Sequence, residues 1–134
     1  MELKGKILLY WCKHFTFNNA EEKLKKDDMF GELLKKETPE ITSLSYIFNH
    51  YSKELIDKAS NYDTVIFISF NAFADRSQAK MINELNNICN NFYVISIRNP
   101  YDYLVLDKNI NFYTMYESTP NSMRSIIKFL KGEI

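Results

Sequence analysis

The feature that most constrains the fold is a segment without any polar position, Val-Ile-Phe-Ile at residues 65–68. A strand of this composition has no face to turn toward water, so it belongs in the middle of a parallel sheet that helices cover on both sides. Two other segments, residues 6–11 and 92–97, are nearly as apolar and predict two more buried strands. The chain is therefore expected to build a sheet whose central strands are enclosed.

Helical and weaker strand patterns fill much of the remaining sequence. Residues 20–36 carry Glu–Lys pairs at (i, i+4) spacing, and residues 120–130 place apolar side chains on one stripe. Residues 41–48 and 111–116 are strand candidates, and the alternating pattern of the second predicts a place near a sheet edge. Strands thus alternate with helices about five times. This pattern predicts an α/β fold, a three-layer α/β/α sandwich with a mostly parallel sheet of about five strands, as a single domain over residues 1–134.

Residue types at the helix starts predict where two of the helices begin. Asn49 is expected to cap a helix over residues 51–59. Asp75 and Gln78 have the spacing of a capping box at the start of the next helix. The buried face of that helix is expected to carry the apolar side chains Met81, Ile82, Leu85, Ile88 and Cys89.

Composition argues against several classes of function. The 17 basic and 17 acidic side chains cancel, so no positive excess is present to neutralise a nucleic-acid backbone. No stretch reaches the roughly 18 apolar residues of a membrane span, and no signal-peptide pattern is present, so a soluble, cytoplasmic domain is expected. Cys12, Cys89 and the histidines lack metal-site spacing, and the glycines are too few for a nucleotide-binding loop. We therefore expect neither a metal nor a cofactor.

Polar side chains follow several predicted strands at the edge where parallel strands end. Ligands of doubly wound sheets bind at this carboxyl edge, where the strand order reverses. With the first strand at the centre, a crevice there is expected to be bordered by Cys12, by residues 13–14 and by residues 98–99. The candidate residues for contact with a ligand or a partner domain are Lys13, His14, Asp75, Arg76, Arg98, Asn99, Tyr101 and Asp102.

A purely structural role also explains several of these residues. Asn99 and Asp102 flank a proline and are expected to cap the first turn of a helix that begins there. Asp75 is expected to be a helix cap, and Arg76 either faces solvent or reaches toward a sugar or a neighbouring domain. Arg98 fits a structural role less well, because a charge directly after a buried strand needs a partner.

Several motifs in the second half of the chain match one enzyme family. They are the strand at residues 62–67, the Arg-Asn-Pro-Tyr-Asp run at residues 98–102, the Thr-Pro-Asn-Ser-Met segment at residues 119–123 and the closing Lys-Gly-Glu-Ile at residues 131–134. With these motifs, residues 62–134 resemble the C-terminal domain of family 3 glycoside hydrolases of the β-N-acetylhexosaminidase type. The first half of the chain agrees with that domain only in the order of strands and helices.

The resemblance implies an accessory domain without catalytic residues of its own. In this branch of the family, the nucleophilic Asp and the Asp–His acid/base pair belong to a catalytic (β/α)8 barrel. A barrel needs about 200 residues or more and is absent from this chain. The acid/base Glu that the glucosidase branch carries on its second domain has no matching motif here. The implied role is a C-terminal domain of a β-N-acetylglucosaminidase-like hydrolase that packs against a barrel of the same or a partner chain, with an amino sugar as candidate ligand.

Two further hypotheses remain open at the level of sequence. The chain is either a piece of a longer enzyme or a free-standing binding or interaction module that kept the fold, lost the barrel and has no glycosidase activity. A free-standing module predicts a surface without a large exposed apolar patch. A small enzyme built around His14 and Arg98 is the remaining hypothesis, and it requires a carboxylate beside His14.

Overall fold

The computed structural model describes residues 5–13, 36, 41–97, 100–115 and 120–130. These residues contain five strands: β1 (Ile7–Cys12), β2 (Ile41–Tyr46), β3 (Thr64–Ser69), β4 (Phe92–Ile97) and β5 (Asn111–Met115). All neighbouring strands run parallel, in the order β2-β1-β3-β4-β5. The predicted helix at residues 20–36 lies outside the described residues except for Lys36, and so do His14, Arg98 and Asn99.

Burial along the strands confirms the predicted layers. Every residue of β3 and of β4 is buried, which requires that both faces of the sheet are covered. β3 is the middle strand, and β5 lies at an edge with exposed and half-buried positions, as its alternating pattern predicts. The expected α/β fold class is therefore confirmed, with every strand pairing in the described sheet parallel.

The described residues form three α-helices: α1 (Lys53–Lys58), α2 (Arg76–Ile88) and α3 (Pro120–Leu130). Short 3-10 helices follow α1, precede α2 and follow β4, at Ala59–Asn61, Ala72–Ala74 and Pro100–Val105. Helix α1 packs against α2, and α3 packs against β5. None of the helices in the described ranges is both long and apolar enough to span a lipid bilayer.

The start of α1 differs from the sequence prediction. Ser52, and not Asn49, caps this helix, and its hydroxyl accepts the Leu55 N–H at 3.3 Å. Asn49 has a left-handed backbone with φ of 63° and donates its own N–H to the Asp75 carboxylate at 2.8 Å. Both residue types are good caps, so the sequence pattern could not separate them. The long-range contact with Asp75 decides the outcome.

The buried face of α2 is shorter than its apolar stripe. Met81, Ile82 and Leu85 are buried as predicted, whereas Ile88 is 53% exposed and Cys89 is half-buried. The prediction for Ile88 is wrong because α2 ends at this residue. Cys89 already has an extended backbone, so no further helical turn follows to cover the Ile88 side chain.

Candidate functional site

The carboxyl edge of the sheet contains the switch point at which the strand order reverses, between β1 and β3. Tyr46, at the end of β2, extends over the end of β1 to reach β3. Its ring stacks on Phe67 at a centroid distance of 4.6 Å, and its hydroxyl donates to the Ile68 carbonyl at 2.7 Å. The same hydroxyl lies 3.0 Å from Gln78 Oε1, so its one proton is shared between the two acceptors. The protein's own tyrosine therefore occupies the space that a ligand takes in many doubly wound sheets.

The residues around Tyr46 show that this space is closed. Tyr46 is completely buried, and burial raises the pKa of its hydroxyl well above its usual value, so the group remains a neutral donor. Cys12, predicted at the border of the crevice, is 1% exposed. Lys13 donates its backbone N–H to the Tyr46 carbonyl at 2.9 Å, while its side chain is exposed. The switch point lies between β1 and β3, so the residues that follow β4 are one strand away from it.

The Asp75 carboxylate links the loops that follow β2 and β3 through hydrogen bonds. Its carboxylate is buried and accepts the Gln78 N–H at 3.1 Å, which confirms the predicted cap of α2. Its other oxygen accepts the Asn49 N–H at 2.8 Å and Gln78 Nε2–H at 3.2 Å. Gln78 does not complete a reciprocal capping box, because its side-chain amide pairs with both backbone groups of Phe70 at 2.7 and 2.8 Å. This hydrogen-bond network of Asp75, Asn49, Gln78 and Phe70 holds the two loops together, and we call it the first clamp.

Asp102 forms a second clamp, between the ends of β3 and β4. Its carboxylate is fully buried and accepts the hydroxyls of Ser69 at 2.9 Å and Ser96 at 3.2 Å. The second oxygen accepts the Phe73 N–H at 3.0 Å. The prediction that Asp102 caps its own helical turn is wrong, because the donors lie on neighbouring strands and on the loop after β3. Sequence reasoning missed the two serines, although Ser69 ends β3 and Ser96 is the last residue but one of β4, and the structure pairs them in register.

Three exposed apolar side chains lie beside this clamp, and we call them the aromatic face: Phe73, Tyr101 and Leu104. They are 53%, 65% and 67% exposed, and the rings of Phe73 and Tyr101 lie 6.4 Å apart at 54°. Tyr103, in the same 3-10 helix, instead packs on Phe112 at 5.6 Å. Of the sequence-predicted candidates, Tyr101 therefore belongs to the face itself, and Asp102 lies directly beneath it.

A cavity of about 310 Å³ lies elsewhere, toward the amino ends of the strands. It is lined by Lys6, Ile41, Thr42, Asn61 and Tyr62. None of these residues belongs to the predicted candidates, so the cavity and the carboxyl edge are separate features of the surface. Within the described parts of the chain, no group of three or more His, Cys, Asp or Glu side chains is arranged to hold a metal ion.

The two described aspartates at the carboxyl edge are occupied by structural hydrogen bonds. Asp75 and Asp102 each accept three hydrogen bonds from uncharged donors, and both carboxylates are inaccessible to solvent. General acid/base catalysis needs a carboxyl group within hydrogen-bond reach of a substrate. The two buried aspartates do not meet that requirement. What the edge presents to solvent is an apolar surface held on a rigid base.

Burial of Cys89, at the end of α2, gives a prediction for the dependence of stability on pH. Burial raises the pKa of this thiol from 9.0 to about 11, so the unfolded chain loses the proton first as the pH rises. The stabilising contribution is complete below pH 9.0 and is lost as the pH rises toward about 11. We expect the urea midpoint of the protein to fall more between about pH 8 and about pH 10 than that of Cys89→Ala.

The comparison with Cys89→Ala separates the thiol from the buried tyrosines. Burial also raises the pKa of Tyr10 and Tyr46, and both groups contribute in the same direction in the two proteins. Since Cys89 also helps to raise the pKa of Tyr10, the difference between the two pH profiles reports the Cys89 thiol together with its effect on Tyr10. Equal losses of stability in both proteins would contradict the prediction.

Two solved structures share this fold. One is a glycoside hydrolase family 3 β-N-acetylglucosaminidase from Paenibacillus sp. str. FPU-7, with a TM-score of 0.82 and 24% identity over 99% of this chain and 26% of that chain. The other is a fungal multi-domain β-N-acetylglucosaminidase of the same family that contains a GCN5-related glucosamine N-acetyltransferase region. It matches with a TM-score of 0.79 and 23% identity over 96% of this chain and 14% of that chain.

Sequence comparisons add no closer assignment: no protein-family model and no curated protein matches the chain. At 23% and 24% identity, the two structural likenesses establish the fold. The chain spans about a quarter or less of each of the two structures. This protein therefore has the doubly wound fold of a region found within two family 3 β-N-acetylglucosaminidases, as the resemblance in its second half implies.

Proposed function

We propose that this chain is a non-catalytic accessory domain of a β-N-acetylglucosaminidase-like glycoside hydrolase, which packs against and supports a catalytic (β/α)8 barrel on the same or a partner chain. The observation that carries the proposal is the aromatic face at the carboxyl edge. The fold likeness supports it, because nearly all of this chain matches a small part of two larger enzymes, each of which has most of its length outside the matched region.

The exposure of the aromatic face supports a protein partner. Phe73, Tyr101 and Leu104 are each more than half exposed, and the rings of Phe73 and Tyr101 lie 6.4 Å apart. Contiguous apolar groups on a soluble protein mark surfaces that other proteins cover, and aromatic side chains dominate the binding energy of such surfaces. A free-standing module predicts the opposite, a surface without such a cluster.

The rigidity of the face supports the same role. The Phe73 backbone is bonded to the Asp102 carboxylate, and Tyr101 precedes Asp102 in one 3-10 helix. The backbone segments that carry the two rings are therefore held by Asp102, whose carboxylate accepts hydrogen bonds from serines of β3 and β4. A surface that is already ordered before binding loses little conformational entropy when a partner covers it.

Polar residues at the same edge complete the proposal. Lys13 and Arg76 are exposed at the carboxyl ends of β1 and of the loop after β3. With the predicted His14, Arg98 and Asn99, they are candidates for contact with the barrel or with an amino sugar bound to it. The bond-breaking residues belong to the barrel, and this domain shapes and stabilises its site.

The test is photo-crosslinking in cells of the source organism. We expect Tyr101→p-benzoylphenylalanine to form a cross-link to a polypeptide segment that folds as a (β/α)8 barrel. The matched control is Ile88→p-benzoylphenylalanine, because Ile88 is as exposed as Phe73 but ends α2, away from the aromatic face. The position of the cross-link within the same or another chain is read by mass spectrometry of the joined peptides.

Two results would contradict the proposal. One is that the material immunoprecipitated from cells with this protein contains no barrel and does not hydrolyse a chromogenic N-acetylglucosaminide. That result would favour a free-standing interaction module. The other is hydrolysis of that substrate by the pure chain, abolished by one carboxylate substitution, which would make the chain itself an enzyme.

A further inference from the structure

The charges around the aromatic face have one sign. Among residues 13, 70–76 and 100–106, which follow β1, β3 and β4 at the carboxyl edge, the exposed charged side chains are Lys13 and Arg76, and the exposed Asp107 comes next, in the connection to β5. The two acids within these ranges, Asp75 and Asp102, are buried, and each accepts three hydrogen bonds. The edge therefore presents apolar groups together with positive charge.

Arg76 is placed where a positive charge does not stabilise the fold. It is the first residue of α2, whose first turn contains no acidic residue. The positive end of the helix dipole lies there, and it disfavours a cation. The ion pair between Lys53 and Asp57 lies on α1 and does not involve Arg76. The Arg76 side chain is exposed and lies three residues after Phe73 of the aromatic face, so its charge is accessible to a partner.

We infer that the aromatic face and these two cations together bind a protein surface with an apolar centre and an acidic rim. The inference rests on the proposed function only for the identity of the partner, which is then the barrel surface beside this edge. Burial of Phe73, Tyr101 and Leu104 supplies affinity, and the cations steer the encounter and fix the orientation.

A protein surface fits the face better than a nucleic acid does. Single-stranded nucleic acids stack their bases on aromatic rings along a positively charged groove. Leu104 is aliphatic and, at 67% exposed, is the most open member of the face, so it offers no ring for stacking. The formal charge of the whole chain is zero, which gives little attraction for a phosphate backbone.

The test uses the full chain and synthetic probes, so it does not depend on a barrel. One probe is an amphipathic peptide that alternates Leu and Phe with Glu, and its counterpart has Lys at every Glu position. We expect the acidic peptide to shift the NMR signals of Phe73 and Tyr101 and to bind less tightly as salt rises. Arg76→Glu is expected to weaken this binding about tenfold, and Phe73→Ala to abolish it.

The matched charge control is Lys108→Glu, because Lys108 is exposed and precedes the amino end of β5, at the opposite edge. We expect this variant to bind the acidic peptide like the unchanged protein. Equal binding of the acidic and basic peptides, or signal shifts confined to residues outside the face, would overturn the inference. Tighter binding of an oligothymidylate than of the acidic peptide would overturn it in favour of a nucleic-acid surface.

A failure of these peptide experiments is distinguishable from a failure of the proposed function. A barrel cross-linked at Tyr101, without any preference for the acidic peptide, would leave the accessory role in place and remove its electrostatic part. A preference for the acidic peptide without a barrel in cells would keep the chemistry of the face and assign it to a different protein partner.

Discussion

Asp102→Ala is expected to lower the free energy of unfolding by about 3 kcal/mol, because it removes one acceptor from three donors at once. The hydroxyls of Ser69 and Ser96 and the N–H of Phe73 all bond to this carboxylate. Buried donors that lose their partner cost about 1–3 kcal/mol each, which is large beside the total stability of a small domain. The measurement is equilibrium denaturation in urea.

The controls for Asp102→Ala separate the clamp from the charge. Asp102→Asn keeps an oxygen for the Phe73 N–H, and the serine hydroxyls can turn to accept from the new amide, so a loss of about 1 kcal/mol is expected. Asp107→Ala removes an exposed carboxylate from the same connection and should change stability by less than about 0.5 kcal/mol. If Asp102→Ala and Asp107→Ala unfold at the same urea concentration, the clamp has no energetic role.

Tyr46→Ala is the second large effect, with an expected loss of about 3–5 kcal/mol. It removes a fully buried ring that stacks on Phe67 and a hydroxyl that bonds to Ile68 and Gln78. The loss has a cavity term, because the two strands on either side of the vacated space are held in the sheet and cannot close it fully. We expect phenol to raise the unfolding midpoint of this variant by filling the space.

Tyr46→Phe is the matched control for the cavity. It keeps the ring and loses only the hydroxyl, so a loss of about 1 kcal/mol and no response to phenol are expected. A variant Tyr46→Ala that is as stable as Tyr46→Phe would show that the switch point closes without this ring. That result would also reopen the possibility that a ligand binds between β1 and β3.

The two clamps are consistent with the supporting role that we propose for this sheet. In many such sheets the carboxyl edge is left open, and loops from different strands surround a ligand. Here Tyr46 occupies the switch point, and the two buried aspartates accept hydrogen bonds from polar groups of the loops and strand ends. The surface that remains is apolar, rigid and bordered by cations, which suits a permanent neighbour better than an exchanging small molecule.

Local patterns were sufficient for much of the fold. The uninterrupted apolar run at residues 65–68 predicts the central strand, and the alternation at residues 111–116 predicts an edge strand. Asp75 was predicted as a cap because its partner, the Gln78 N–H, is only three residues away. In each case the physical cause operates within one turn of helix or along one strand, so that a short window of sequence contains all the information.

The candidate site was predictable only in part, and Asp102 shows why. The run at residues 98–102 predicts the carboxyl edge of the sheet correctly, and Tyr101 is exposed there. The role of the Asp102 side chain was predicted wrongly, because the donors from Ser69 and Phe73 are 33 and 29 residues away. Capping rules consider only neighbours along the chain, and they could not anticipate those partners.

The sequence by itself determined the class of the fold, the place of its central strand and of the edge strand β5, and the cap of α2, since burial patterns and local hydrogen bonds depend on neighbouring residues. Only the tertiary structure decided that Tyr46 closes the switch point and that Asp102 lies beneath an exposed aromatic face. Both outcomes depend on which strands become neighbours in the sheet. That order brings together side chains from distant segments, and no single segment of the sequence contains it.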